Sequence, residues 1–452
     1  MFGEADIETM NAKFELARFY ALKSQLIKAA PLAESVWRFR MLAWKGKNLP
    51  ISTYFLEPFC ICLDGYLLDG KPISDLVHEY PYVLHHAINI RYRKLLDILF
   101  RDGVLSRKVL SEMVSKVDRN GASLLFAAIS DAEAQKDYVT ELVGRLLANG
   151  ADMSHQTTSG QPLLHTAVMC NQPIVVEKLL AYDVDTDARS LSTNASVLHY
   201  AVITGNLKMV ELLLDHGVRV NACTTKGITA LHLAVLVRNR TMVQLLIRNG
   251  ANTNMQTQLG SGPVHMVVIS PFFLVIFRVR DLFPTLAKDY AETLQGNTKT
   301  FGSALPEICV EAFDDVERMG YEWRKCYKFR SFFEHVQELQ SSPDLILKDL
   351  VEAGADINLR CVHLSTPLHL MLAGVIHAPN FVKAVQDDFR AMLQGFLDYG
   401  ADLHAQDDEG MVAEEALKAL HELLETDRLG SFQNIRKTWC GPTWPRKKAF
   451  GY

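Results

Sequence analysis

A four-residue string, Leu-His-x-Ala, recurs along the chain at a nearly constant interval. It stands at Leu84-His85-His86-Ala87, Leu164-His165-Thr166-Ala167, Leu198-His199-Tyr200-Ala201 and Leu231-His232-Leu233-Ala234. Weaker copies are Val264-His265-Met266-Val267 and Leu368-His369-Leu370-Met371, and Phe126 fills the histidine slot after Ser123-Leu124-Leu125. His165, His199, His232 and His265 follow one another at a period of roughly 33 residues. A second string follows most copies: Asn149-Gly150-Ala151-Asp152, His216-Gly217-Val218, Asn249-Gly250-Ala251-Asn252, Ala353-Gly354-Ala355-Asp356 and Tyr399-Gly400-Ala401-Asp402. A unit this short cannot bury its own apolar face. It must stack on copies of itself, which argues against a count of independent globular domains by length alone.

The residues between the strings support that reading. Residues 207–214 place their apolar side chains at helical spacing, so one face is buried. Gly217 and Gly250 stand where a helix ends in the left-handed region, and Asn221, Asn254 and Asn358 open the turn to the next unit. Thr366-Pro367-Leu368-His369 matches the start of the Thr-Pro-Leu-His-x-Ala signature that accompanies a period of this length. On these motifs the chain resembles the ankyrin-repeat family from about residue 82 to 420. The resemblance implies an all-α solenoid of seven or eight helix-turn-helix repeats with hairpin fingers.

Departures from the spacing locate insertions. The regular step from histidine slot to glycine slot is 18, as in His199 to Gly217 and His232 to Gly250. The step from Phe126 to Gly150 is 24 and that from His369 to Gly400 is 31, so both repeats carry short insertions. The step from His265 to Gly354 is 89, and the excess of 71 falls inside one repeat. Closing so long a loop adds only about 3 kcal/mol, because the cost grows with the logarithm of length. The expected order is therefore a helical cap over 1–80, repeats one to five and the first helix of repeat six over 81–270, and an insertion over 271–341. The remainder of repeat six, repeat seven and a capping repeat fill 342–430, with a tail over 431–452. In the cap, Phe14, Ala17, Ala21, Gln25 and Phe19, Leu22, Leu26 suggest one amphipathic helix and residues 36–44 a second. In the last repeat Glu414 and Glu415 replace the Leu-His pair, as a polar outer face requires.

Composition narrows the class of function. With 452 residues, 48% of them hydrophobic and 22% charged, the chain has too much apolar material for wholesale disorder. Forty-seven basic against 52 acidic residues give a net charge of -5, without the field that draws proteins to nucleic acid or anionic membranes. The eight scattered cysteines fit a reducing compartment. The most apolar run, 263–277, is shorter than a membrane helix needs, and the acidic first ten residues do not resemble a secretory signal. An intracellular protein, cytoplasmic or nuclear, without membrane insertion is expected.

Chemical motifs are weak. The Leu-His histidines tie turns and are not assigned as metal ligands. Cys60-Ile61-Cys62 lacks a second pair at zinc spacing, and its alternation suggests an extended apolar stretch. Trp439-Cys440-Gly441-Pro442-Thr443-Trp444 is similar to a thioredoxin active-site string but lacks the second cysteine. The insertion is dense in aromatics, and within it 321–330 interleaves aromatics with basic side chains. That mix suits an amphipathic helix better than base stacking. Cys309 or Cys326 with His335 and Asp314 could be assembled into a hydrolase, but no nucleophile-elbow pattern surrounds them. No catalytic, cofactor or metal residue is assigned, and no small-molecule substrate or nucleic acid is expected.

The resemblance implies a protein partner, held by hairpin tips and concave first-helix faces. The candidate contacts are Thr158, Met169, Ser192, Thr193, Ile203, Thr225, Lys226, Leu236, Arg238 and Gln258, with Trp323 and Tyr327 from the insertion. The same family includes adaptors, inhibitors, channel subunits and pathogen proteins aimed at host targets. Alternatives are a ubiquitin-ligase substrate adaptor, although 417–435 shows no clear box motif, and an enzyme with its site in 271–341. The asparagine slots also match those that asparaginyl hydroxylases modify in this family.

Overall fold

The computed structural model describes residues 4–44, 53–69, 83–89, 91–101, 103–117, 123–130, 136–154, 162–270, 341–377, 386–408, 410, 412–415 and 417. Among them the fold is helical, with isolated bridges and no extended strand. The chain divides into two compact units, Met1–Val184 and Asp185–Tyr452.

The first unit begins with three long helices, α1 (Glu4–Leu22), α2 (Leu26–Trp44) and α3 (Thr53–Leu68), which pack on one another. Ser24, in the left-handed region at φ 55°, breaks α1 from α2. Gln25 and Leu26 therefore do not continue the first helix, and the second helix starts well before residue 36. Phe14, Ala17, Ala29, Ala33, Val36 and Ile61 form the core of this layer. The expected extended stretch at Cys60-Ile61-Cys62 is instead the middle of α3. A short apolar run cannot separate strand from helix by periodicity, and here the length of the segment decides.

Short helices follow: α4 (Val83–Asn89), α5 (Arg93–Leu99), α6 (Arg107–Val114), α7 (Leu124–Ile129), α8 (Lys136–Ala148), α9 (Leu163–Met169) and α10 (Pro173–Ala181). They form two layers, with α4, α7 and α9 adjacent in one and α8 beside α10 in the other. That arrangement buries the faces a single helix pair leaves open.

The second unit repeats the pattern with α11 (Val197–Thr204), α12 (Leu207–Asp215), α13 (Ala230–Leu236), α14 (Arg240–Arg248) and the helical residues 263–270. It continues with α15 (Pro343–Glu352), α16 (Pro367–His377) and α17 (Gln386–Asp398). α11 lies beside α13 in the inner layer, and α12, α14, α15 and α17 follow one another in the outer layer. Although 249–342 separate α14 from α15 in sequence, the two helices are direct neighbours. The expected insertion, residues 271–340, lies outside the described residues.

Repeats are stitched at the glycine turn by asparagine. Asn221 donates to the Gly250 carbonyl at 3.0 Å and accepts from the Asn252 N–H at 2.8 Å. Asn254 does the same to Gly354 and Asp356, at 2.9 and 2.7 Å, and Asn358 to Gly400 and Asp402, at 3.3 and 2.7 Å. Each amide thus commits a donor and an acceptor to the next turn, satisfying backbone groups that a helix end leaves open.

Candidate protein-binding ridge

In the second unit the fingers are short hairpins set before the inner helices. Isolated bridges close three of them, Arg189 to Ser196, Cys223 to Thr229 and Gln406 to Val412. The turn 224–228 is held by Thr224 N–H to Ile228 carbonyl at 2.9 Å and Gly227 N–H to Thr224 carbonyl at 3.0 Å. The turns 257–261 and 361–365 carry the matching first bond, Thr257 to Ser261 and Cys361 to Ser365, each at 2.9 Å. Gly227 and Gly260 sit at φ 81° and 77°, which side chains with a Cβ rarely adopt.

Successive tips bond edge to edge. Thr225 N–H donates to the Thr193 carbonyl at 2.9 Å, Gln258 N–H to the Lys226 carbonyl at 2.8 Å, and Val362 N–H to the Leu259 carbonyl at 2.6 Å. The Gln258 side-chain amide adds a bond to the Thr225 carbonyl at 2.7 Å. Four fingers are thereby joined into one ridge of the second unit. Ser192, Thr225 and Gln258 are exposed on it, and Lys226 is half-buried.

Behind the ridge the slot histidines fix the start of each inner helix. His199 Nδ1 accepts from the Ser196 N–H at 3.1 Å and lies 2.7 Å from the Ser196 hydroxyl. That leaves the proton on Nε2, which donates to the Ile228 carbonyl of the next finger at 2.9 Å. His232 repeats both contacts, with Thr229 at 3.1 Å and the Ser261 carbonyl at 3.2 Å. His265 takes the Gly262 N–H at 3.1 Å and His369 the Thr366 N–H at 3.3 Å. Burial pushes the imidazoles down, His199 and His232 to about 4 and His265 to about 3. These rings are neutral structural pins at neutral pH.

Several expected contact residues are placed inside. Met169, Ile203 and Leu236 are buried, as is every residue of α9, α11 and α13. These inner helices are apolar on nearly all sides, so no face is left to the solvent. Thr193 is buried at the base of its tip. Arg238 is engaged internally, with Asp388 and the Ser341 carbonyl. Thr158, Trp323 and Tyr327 lie outside the described residues, as do Cys309, Asp314, Cys326, His335 and the tail string at 439–444.

Cys60 and Cys62 are buried free thiols of α3, and burial pushes Cys60 up to about 12 and Cys62 higher. Cys62 donates to the Ala30 carbonyl at 3.4 Å. Two positions apart on a helix, the thiols project in different directions, unlike a chelating pair. No group of three His, Cys, Asp or Glu side chains among the described residues is arranged to hold a metal ion. No helix among them is long and apolar enough to cross a membrane.

Comparison with known proteins follows the same residues. The family described as ankyrin repeats (3 copies) matches 131–222 and 164–257. An ankyrin repeat protein of fowlpox virus (strain NVSL) is 33% identical over 101 residues, 22% of this chain and 22% of the viral one. The E3 ubiquitin-protein ligase KEG of Arabidopsis thaliana is 33% identical over 267 residues, 51% of this chain but 16% of the ligase. The chain thus spans less than a quarter of the length of either relative. Among solved structures, the ankyrin repeat domain of Bcl-3 aligns over 64% of this chain and 92% of that domain, at 21% identity and a TM-score of 0.39. The recurring histidine, glycine and asparagine slots, the bonded fingers and the family match at 131–257 agree, and the chain contains ankyrin repeats.

Proposed function

We propose that the protein is a non-catalytic scaffold or adaptor whose second unit grips a partner protein along the finger ridge. The observation that carries this reading is the bonded row of tips. Backbone hydrogen bonds fix its shape, while Ser192, Thr225 and Gln258 stay exposed at the surface with Lys226 beside them. A rigid polar row of this kind loses little entropy on binding, so a few anchors suffice for specificity. Residues 271–341 act in this reading as an insertion within one repeat, and the chain works in the cytoplasm or nucleus. Replacing Ser192, Thr225 and Gln258 together by arginine tests it. Affinity capture followed by mass spectrometry should lose the wild-type partner while circular dichroism stays unchanged. Retention of every partner by the triple variant would reject the ridge.

The match to a plant E3 ubiquitin-protein ligase favours one second reading, a substrate adaptor for ubiquitin transfer. Capture of elongin or cullin components together with the partner would support it. A partner recovered without any ligase component would argue for a plain scaffold, and the viral relative makes a host protein one class of partner to test.

A further inference from the structure

The repeats of the second unit are joined in two different ways. Up to residue 270, short connections link one helix to the next. From residue 270 to Ser341 the covalent path runs through all of 271–340, yet α14 and α15 are direct neighbours. Elsewhere in the unit, adjacent helices part by no more than the length of a short connection unless they unfold. At the α14–α15 joint, docking depends on contacts between the folded parts far more than on the chain.

Those contacts are rich in charge. Arg238 reaches Asp388 and the Ser341 carbonyl. Arg240 of α14 meets Asp349 of α15 at 2.6 and 2.9 Å, and Gln244 adds a bond to the same carboxylate at 3.0 Å. Charged groups regain their hydration when such a joint opens. Two intact pairs therefore hold it less firmly than the penalty for stranding one buried partner suggests. The part beyond the joint is also small. Residues 341–417 hold α15, α16 and α17, too few helices to bury their own faces without the preceding repeats. Separation and unfolding of this part are then a single event.

We propose that residues 341–417 form a detachable cooperative part of the second unit, which docks on α14 and the helical residues 263–270 and leaves them as a whole at a lower free energy than global unfolding. The last finger of the bonded row, 361–365, belongs to this part, whereas 190–195, 224–228 and 257–261 belong to the rest. The row therefore has three fingers when the joint is open and four when it is closed. A partner that touches both sides of the bond from Val362 to Leu259 binds the closed form alone and shifts the population toward it. That consequence rests on the ridge reading above; the detachable part does not.

Hydrogen exchange of the full chain, read amide by amide in low urea, tests the joint without any partner. Three pairs of amides hold matching places on its two sides. Asp356 N–H bonds to Asn254 and Asn252 N–H to Asn221. Val362 N–H bonds to Leu259 and Gln258 N–H to Lys226. Leu370 N–H bonds to Thr366 and Leu233 N–H to Thr229, both inside buried inner helices. Asp356, Val362 and Leu370 should exchange as one set with a common urea dependence. They should exchange about a hundredfold faster than Asn252, Gln258 and Leu233, as the logarithmic cost of closing the long connection requires. Arg238→Asn should speed the first set at least a further tenfold and leave the second unchanged. Asp388→Asn, from the other side of the pair, should give the same split if Arg238→Asn does not fold. One common rate for all six amides overturns the proposal. So does independent exchange within the first set, or a variant that speeds both sets alike. Rejection of the ridge by the triple arginine variant leaves these rates unaffected, so the two failures are distinguishable.

Discussion

Arg238 and Asp388, 150 residues apart in sequence, meet in a two-point ion pair of 2.6 and 3.1 Å. Arg238 also donates to the Ser341 carbonyl at 2.9 Å, and its own carbonyl accepts from the Ser341 N–H at 3.1 Å. It occupies the inner–outer loop between α13 and α14 at φ 57°, where the corresponding loop between α11 and α12 uses Gly205 at φ 70°. A non-glycine residue costs roughly 1 kcal/mol there, and the strain is offset by an arginine that pins both later repeats at once.

That geometry predicts a large effect from a small change. The pair is mostly desolvated, with 8% of the Arg238 side chain and 25% of Asp388 exposed. Arg238→Asn tolerates the left-handed backbone but leaves Asp388 without its main cation. A loss of about 3 kcal/mol is expected, the low end for a broken buried pair. Urea unfolding of Arg238→Asn, Asp388→Asn and the double variant closes a thermodynamic cycle. A coupling below about 0.5 kcal/mol would show the pair to be ornamental.

Two glycines with similar backbone angles should respond differently to alanine. Gly217 is at φ 77° with open space around it, so Gly217→Ala should cost only the backbone penalty, about 1 kcal/mol. At Gly227 the added methyl would lie 2.9 Å from Thr257 Cα and 3.1 Å from the Gln256 carbonyl, both of the next finger. Backbone cannot step aside as a side chain can. Gly227→Ala should therefore cost about 2 kcal/mol or above, in the range of strained and overpacked sites. It should also raise hydrogen exchange at the Gln258 amide, which bonds across that junction. Equal melting shifts for the two variants would contradict this.

The buried histidines set the pH response of the second unit. His199, His232 and His265 are held at about 4, 4 and 3 in the fold, against about 6.5 in the unfolded chain. Between those limits the unfolded chain binds more protons, so stability rises with pH and is fully present above about pH 7. It is lost as pH falls through 6 toward 4. Three groups together give a slope of roughly 4 kcal/mol per pH unit near pH 5. Denaturation midpoints measured from pH 5 to 8 should climb and then level off, and His199→Asn should flatten the slope by about a third.

How much of this is legible in the sequence depends on whether the cause is local. His199, Gly217 and Asn221 act on groups within a repeat or on the next one, so a fixed period reveals them. The family resemblance places Met169, Ile203 and Leu236 on a concave contact surface. Their helices are apolar nearly all round, a feature visible in the sequence that argues for burial instead. Arg238 looks like a free basic residue because its partners stand more than 100 positions away; only the return of the chain at Ser341 and Asp388 shows its role. Cys60-Ile61-Cys62 misleads through its alternation, which a short segment cannot distinguish from a helix buried on several sides.

The asparagine ladder offers a last test, because it crosses the longest gap in the repeat pattern. Asn254 reaches Gly354 and Asp356, 100 and 102 residues away, with the same two bonds that Asn221 makes to Gly250 and Asn252, 29 and 31 residues away. Both side chains are exposed, so each Asn→Ala change should cost about 1 to 2 kcal/mol, the worth of two ordinary hydrogen bonds in water. The consequences should differ. Asn221→Ala loosens a junction also held by continuous short chain. Asn254→Ala loosens one where the covalent path is long and holds the repeats together far less. Hydrogen exchange at the Asp356 amide should therefore accelerate more in Asn254→Ala than exchange at the Asn252 amide does in Asn221→Ala. Equal acceleration would mean that residues 271–340 hold that junction as tightly as a short turn.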